Sequence, residues 1–304
     1  MNAVSTVEPE AMSTVTSRHI TRTQASRKPR PLPSMLLSDT STAPSGQMPS
    51  AAKLLLVLEV FLGGPPSLGV TEIARDAGLT KSTAFRLLSV LADRGFVTRH
   101  GSRYSLGRRF IHFGAYTAYN RPHSLRDVAT PFLADLYSSY RATVHLGVLD
   151  EGQVLYLEKL HGPQQMTVPS HVGSRLPATL TGVGKALLAF APRDETAAVL
   201  GAKLPMRTPY SITDPNVLAS QLLSIRSKGY AIDREESTLG LTCYAAPVMV
   251  AQRLVGAVSI CTSTPSSGEQ LIAAVRRAAA DIGRALPRSS AELIGTHPVE
   301  YADG

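Results

Sequence analysis

The sequence predicts an α+β protein in which a winged helix-turn-helix precedes a linker helix and then a domain of antiparallel sheet with helices packed on it. Three observations carry that expectation. Two short amphipathic stretches, 70–77 and 84–91, flank a Gly-containing turn; residues 96–106 alternate as a hairpin; and from residue 125 onward hairpins are mixed with helices instead of alternating as strand-helix-strand units.

The first helix is expected over residues 51–62, which follow Ser50 as N-cap, are nearly all apolar, and end at Gly63-Gly64-Pro65-Pro66. In "GVTEIARDAG", Val70, Ile73, Ala74 and Ala77 fall at i, i+3, i+4, i+7, with Gly69 as the cap, Glu72 at the third helical position and Gly78 as the stop. Thr80 then caps a third helix whose apolar face is Ala84, Leu87, Leu88 and Leu91, closed by Gly95. The hairpin "FVTRHGSRYSL" turns at His100-Gly101-Ser102 and carries Arg99 and Arg103. With its apolar face buried, the third helix turns Thr80, Lys81, Ser82, Thr83, Phe85, Arg86 and Ser89 outward. In such a motif these positions reach base edges in a major groove: Lys and Arg bond guanine, Ser and Thr bond several partners, and Phe85 touches a thymine methyl. Thr71 and the amides that open the second helix contact phosphate, and Arg99 and Arg103 lie over the backbone as a wing.

Charge supports a polyanion partner for this region. Residues 51–109 hold 9 basic and 4 acidic side chains, whereas the chain beyond them holds 17 and 16. Residues 1–49 contain fifteen Ser/Thr and six Pro, too little apolar surface to offset ordering entropy, and are expected to be a disordered tail without the apolar core of a secretory signal. The longest apolar run, Leu54 to Leu62, is interrupted by Glu59 and is far shorter than the roughly 20 residues of a membrane span. Two cysteines, Cys243 and Cys261, are too few for a disulfide framework and fit a reducing cytoplasm.

In the C-terminal half a linker helix is expected from about 108 to 119 and a helix over 125–140. A hairpin over 142–160 turns at Asp150-Glu151-Gly152. Helices follow near 182–190, 193–200 and 214–228, strands near 230–235, 241–250 and 254–262, and a last helix over 267–285. "TGVGKA" ends like a phosphate-binding loop, but Thr179 stands where that motif has its first glycine and Ala186 where it needs Ser or Thr. Gly182, Val183 and Gly184 at a helix start instead offer free N–H groups to a carboxylate. His145, His161 and His171 lack metal-ligand spacing, and "DREES" supplies carboxylates without a nucleophile or a paired acid and base. No enzyme activity, metal or cofactor is therefore expected. A redox sensor built on Cys243 and Cys261 is the alternative function; it needs an exposed, acidic thiol, and both cysteines sit in apolar strand contexts.

The segments "EIARDAGLTKSTAFRLLSVLADRGFV", "YSLGRR", "TGVGKALLAF", "KGYAIDREESTLGLTCYAAPV" and "GAVSI", in this order over residues 51–286, resemble the IclR family of bacterial transcriptional regulators. One departure is Gly69, where the family commonly has a Ser or Thr cap; it should cost only a few tenths of a kcal/mol. The resemblance implies a winged helix at 50–106, a linker helix at 107–122, a GAF-like or profilin-like α/β effector domain at 123–286 and a flexible tail at 287–304. It implies double-stranded operator DNA as a partner, read by a homodimer or a dimer of dimers, with helix one and the linker helix as dimer contacts. It also implies a small organic acid as effector, aromatic or a keto acid, held by Leu176, Gly182, Val183, Asp233, Cys243, Ser259 and Cys261.

Overall fold

The structure, a computed structural model, describes residues 48–62, 65–117, 123–163, 168–263 and 268–287. The tail expected over 1–49 lies outside the described residues except for its last two positions, as do residues 118–122 of the linker and the C-terminal tail from 288.

The N-terminal part runs α1 (Ser50–Glu59), β1 (Leu68–Gly69), α2 (Val70–Asp76), α3 (Lys81–Asp93), β2 (Val97–His100), β3 (Arg103–Leu106) and α4 (Arg109–Ala115). Val57, Ile73, Ala84 and Leu88 are fully enclosed where α1, α2 and α3 meet, so the i, i+3, i+4 spacing of the sequence becomes the core of this region. Two details of α1 differ from expectation. Pro49, not Ser50, occupies the cap position and makes no side-chain hydrogen bond, and the regular helix stops at Glu59, with residues 60–62 continuing as a turn. β1, too short to show any alternation, adds a third strand to the wing in the order β1-β3-β2. It is held there by Glu72, whose Oε2 accepts the Gly69 N–H at 2.7 Å and lies 3.4 Å from Arg103 Nη2.

The C-terminal part comprises α5 (Leu125–Tyr140), β4 (Thr143–Asp150), β5 (Gln153–Leu160), β6 (Arg175–Pro177), a 3-10 turn (Ala178–Leu180), α6 (Gly182–Leu188), α7 (Arg193–Gly201), α8 (Pro215–Lys228), β7 (Ala231–Arg234), β8 (Thr242–Val250), β9 (Arg253–Thr262) and α9 (Gly268–Ala285). Its six strands form one antiparallel sheet in the order β6-β5-β4-β9-β8-β7. Because strand side chains alternate, the sheet has two different faces. Val144, Leu146, Val148, Tyr244, Ala246, Val258 and Ile260 pack with Leu133 of α5 and Val275 and Ile282 of α9. Ala245 and Ala257 face the other way, onto Val183, Ala186 and Leu187 of α6 and Leu218 of α8. His145, Cys243, Ser259 and Cys261 share that second face by parity. Gly184 permits the close approach of α6 to the 3-10 turn: a Cβ there would stand 2.1 Å from the Ala178 carbonyl oxygen.

Register is adjusted by two bulges, at Leu146/Gly147 against β5 and at Val248/Met249 against β9. The second has a direct consequence. Counted back from the tight Ala251-Gln252 turn, residue 243 would face Ile260; the bulge shifts the pairing by one and sets Cys243 opposite Cys261.

Candidate nucleic-acid interface and ligand cavity

At the front of α3, Thr80 accepts a hydrogen bond from the Thr83 N–H at 3.3 Å, and its hydroxyl lies 2.8 Å from that of Thr83 and 3.1 Å from that of Ser82. The cap consumes Thr80 and fixes its neighbours, while the charged groups stay unspent. Lys81, Ser82, Phe85 and Arg86 are exposed, Thr83 and Ser89 half-buried, and neither Lys81 nor Arg86 forms an ion pair among the described residues. Phe85 leaves 45 % of its surface in solvent on a helix whose inner face is closed, an exposure its own core does not require. Thr71 is exposed in the first turn of α2. The wing arginines are unequal. Arg99 donates from Nε to the Gly101 carbonyl at 2.8 Å and lies 5.9 Å above the Tyr104 ring, on the hairpin itself. Arg103, expected on the DNA backbone, turns back to Ser67, donating to its hydroxyl at 3.0 Å and its carbonyl at 2.6 Å, beside Glu72. Much of its donor capacity is used to close the wing onto β1.

In the C-terminal domain a cavity opens between the sheet and the start of α6. Leu176, Gly182, Val183, Cys243, Ser259 and Cys261 all line it, six of the seven positions expected from the sequence. Thr181, Ser237, Leu241, Val168 and Pro169 join them, together with His145 and Tyr156 from β4 and β5. His145 and Tyr156 carry no local signal, because only the strand register brings them to the cavity. The empty space totals about 290 Å³, but the centre of a water-sized sphere can move through only about 20 Å³ of it. The cavity is narrow, with room for about one water-sized guest.

Its polar groups are organised by one another. His145 is buried, with Nε2 2.8 Å from the Ser170 hydroxyl and Nδ1 3.3 Å from that of Ser259. Burial, helped by the nearby Lys159 charge, lowers its pKa to about 3, so the ring is neutral. Burial pushes the Tyr156 phenol well above its ordinary range, against a hydrogen bond with Thr181. Thr181 also caps α6, its hydroxyl accepting the Gly184 N–H at 2.9 Å. Lys159 reaches the Val168 and Ser170 carbonyls at 3.2 and 2.6 Å and so pins the segment carrying Pro169 against the cavity; burial lowers its pKa.

Asp233 is the expected site residue that does not line the cavity. Its carboxylate is 1 % exposed and spent on the loop behind, accepting from the Glu236 N–H at 2.8 Å and the Ser237 hydroxyl at 3.2 Å. It thus positions Ser237, which does line the wall. Burial first, then the Glu236 charge, raises the Asp233 pKa to about 7. Lys185, the lysine of "TGVGKA", is fully buried, with Nζ 2.5 Å from Glu236 Oε1 and 3.0 Å from Gln221 Oε1. It locks α6 to α8 and the 235–240 loop and offers nothing to a phosphate.

The cysteines require a correction. The structure joins Cys243 and Cys261 in a disulfide across β8 and β9, with their Cα atoms 4.1 Å apart, in place of the two unlinked thiols expected from their number. The bulge supplied the register that their spacing of 18 residues left open.

Comparison with known proteins agrees with both regions. The family model for the IclR helix-turn-helix domain matches residues 50–101, and the model described as bacterial transcriptional regulator IclR C-terminal matches residues 117–284. The chain is 31 % identical over 244 residues to the HTH-type transcriptional regulator XynR of Escherichia coli, covering 79 % of this chain and 96 % of that one. It is 33 % identical over 246 residues to the glycerol operon regulatory protein of Streptomyces coelicolor, covering 78 % and 96 %. Among solved structures, an IclR homologue from Microbacterium hydrocarbonoxydans complexed with 4-hydroxybenzoate superposes with a TM-score of 0.72 at 27 % identity, over 78 % of this chain and 99 % of that one. The IclR protein of Thermotoga maritima gives 0.64 at 31 %, over 78 % and 98 %. Matched by family models at both ends and by relatives covered over 96 % of their length, the chain belongs to the IclR family of bacterial transcriptional regulators, with a DNA-binding helix-turn-helix and a C-terminal effector-binding domain.

Proposed function

We propose that this chain is an effector-responsive regulator that binds a pseudo-palindromic operator in the cytoplasm as a homo-oligomer and takes a small organic acid in the C-terminal cavity. The observation that carries the first half is the tip of α3: a capped helix start with two exposed basic side chains committed to no acidic partner among the described residues, as base reading requires. Lys81, Ser82, Thr83, Phe85 and Arg86 read bases, with Ser89 farther along the same face, and Thr71 and Arg99 hold phosphate. Arg103 acts mainly by fixing the wing. The divisions at 50–106, 107–122 and 123–286 separate reading, coupling and sensing.

Dimerisation through α1 and the linker is supported by exposed apolar side chains on both, Leu55 and Leu62 at the first and Ile111, Phe113 and Tyr116 at the second. A two-fold dimer sets two copies of α3 in major grooves about 34–36 Å apart or a multiple of that. The acid reading is supported by the Gly182 and Val183 backbone at the cavity, by the neutral His145 and by Ser259, and by the relative whose structure holds 4-hydroxybenzoate. The cavity must widen to admit such a molecule. Binding can move the DNA-reading half only by favouring one of its arrangements.

The test is selection of genomic fragments on the immobilised full chain, followed by release with a panel of carboxylic acids that includes 4-hydroxybenzoate, and thermal shift with the same panel. A small set of fragments should be retained over scrambled duplex, and at least one acid should both stabilise the chain and change retention. Indiscriminate retention contradicts the DNA reading, and an inert panel contradicts the acid reading.

A further inference from the structure

The Cys243–Cys261 bond is placed where it is not needed to hold the fold. β8 and β9 are already paired from residue 242 to residue 262 around one tight turn, so the strands stay together without it. The two sulfurs instead belong to a small apolar group with Leu241 and the half-buried Val168, separate from the larger cores, and both line the cavity. Cys243 also backs the turn that opens α6: a Cβ on Gly182 would meet the Cys243 carbonyl oxygen at 3.1 Å and its Cβ at 3.5 Å. Cys261 Sγ is 3.6 Å from His145 Nδ1 and 3.8 Å from the Ser259 hydroxyl. The chain has only these two cysteines, so oxidation of one can be resolved within the chain only by the other.

We propose that Cys243 and Cys261 form a reversible disulfide/dithiol modification site in the cavity wall, oxidised by small hydroperoxides and reset by low-molecular-weight thiols, which makes ligand access depend on redox state. In oxidation the Cys261 sulfur attacks the terminal oxygen of ROOH. The O–O bond breaks, the departing alkoxide takes up the thiol proton, and ROH and a sulfenic acid result. The Cys243 sulfur then attacks that sulfur, the S–O bond breaks, the S–S bond forms, and water departs with the Cys243 proton. Two thiols thus pass two electrons to the peroxide and yield one disulfide, ROH and water. In the reverse direction two RSH molecules supply two electrons and two protons and leave as RSSR. Intracellular disulfides of this kind are more often redox-sensing than structural.

The cavity registers the change through volume. Two sulfurs that no longer share a bond must separate to van der Waals contact. One thiol must therefore swing aside on reduction, and the space beside it admits little more than a water-sized sphere. The dithiol narrows the cavity, and the disulfide leaves it at its present width. This gating rests on the effector-cavity reading proposed above, but its test needs no ligand, so a chain that binds no acid still decides it.

The full chain is treated with hydrogen peroxide or dithiothreitol, desalted, and split between intact mass after denaturing alkylation and native hydrogen exchange. Peroxide should give a chain lighter by two hydrogens with no alkylation, and dithiothreitol should restore two alkylated thiols with circular dichroism unchanged. Amide exchange should differ at least threefold between the states within 182–188 and 241–262. Two alkylatable thiols persisting after peroxide, oxygen added at Cys243 or Cys261 themselves in peptide masses, or a bond reducible only in denaturant would overturn the modification site. Identical exchange in the two states would overturn the gating. Cys243→Ala should gain oxygen or a mixed disulfide instead; if that variant fails to fold, the wild-type measurements decide alone.

Discussion

The tip of α3 and the C-terminal cavity hold their polar groups in opposite ways. At the tip, Lys81 and Arg86 face solvent with their charge committed to no acidic partner among the described residues, beside the exposed Ser82. In the domain beyond, His145, Asp233, Lys185, Glu236 and Ser259 are buried and bonded to one another. The first arrangement suits a large polyanion that brings its own charge and releases counterions on binding. The second suits a small guest recognised by groups already in place, where removing one member leaves another stranded in low dielectric. Substitutions should therefore injure folding in the domain and binding at the tip.

The largest effect is expected at Lys185. Lys185→Met leaves the Glu236 carboxylate buried without its cation, and Glu236 Oε2 already has no hydrogen-bond partner. Chemical denaturation should show a loss of about 3–5 kcal/mol, much of it recovered in Lys185→Met/Glu236→Gln. A loss under about 1 kcal/mol would mean that the pair is not the lock it resembles. Leu88→Ala, in the N-terminal core, should cost about 2–5 kcal/mol with cavity formation and abolish DNA binding indirectly through unfolding.

The acid-base behaviour of the domain gives a signed expectation. Asp233, raised from 3.8 to about 7, makes the native state hold a proton that the unfolded chain releases, so its contribution to stability falls as pH rises from about 4 to 7. His145, lowered from 6.5 to about 3, does the reverse: the unfolded chain binds the proton, and stability rises with pH from about 3 to 6.5. The two slopes oppose each other where they overlap. Asp233→Asn should unmask the histidine and give stability that climbs between pH 4 and 6.5, readable from denaturation midpoints at several pH values. An unchanged pH profile in that variant would remove Asp233 as a native proton holder.

The regions also differ in how far the sequence disclosed them. The tip was legible because everything it needs is local: Thr80 as cap, the 3.6-residue period of Ala84, Leu88 and Leu91, and Gly95 as stop. The ends of α5, Leu125 and Tyr140, were readable for the same reason. β1 and β6 were not, since two or three residues cannot display a period of two. The cavity was recovered at six positions through family resemblance, while His145 and Tyr156 stayed hidden because the register of β4 against β5 and β9, shifted at Leu146/Gly147, decides which side chains meet. Asp233, expected through the same resemblance, does not line the cavity, because the Glu236 N–H and the Ser237 hydroxyl claim its carboxylate. The disulfide depended on a bulge that no spacing rule foretells.

A smaller effect marks the turn beside that bulge. Ala251 and Gln252 both adopt left-handed backbone, with φ of 46° and 63°, in a two-residue hairpin turn that favours Gly and Asn. Ala251→Gly should stabilise the domain by about 0.5–1 kcal/mol in thermal unfolding; destabilisation would show that the alanine side chain contributes more than its strain costs.

The central claim, that the α3 tip reads base sequence, is tested most directly by titrating wild type and Arg86→Ala on a selected operator and on scrambled duplex at several salt concentrations. Arg86→Ala should weaken operator binding by about 1–3 kcal/mol, roughly 5- to 150-fold, and leave scrambled DNA much less affected. Equal loss on both duplexes would contradict the account and reduce the tip to a non-specific basic surface.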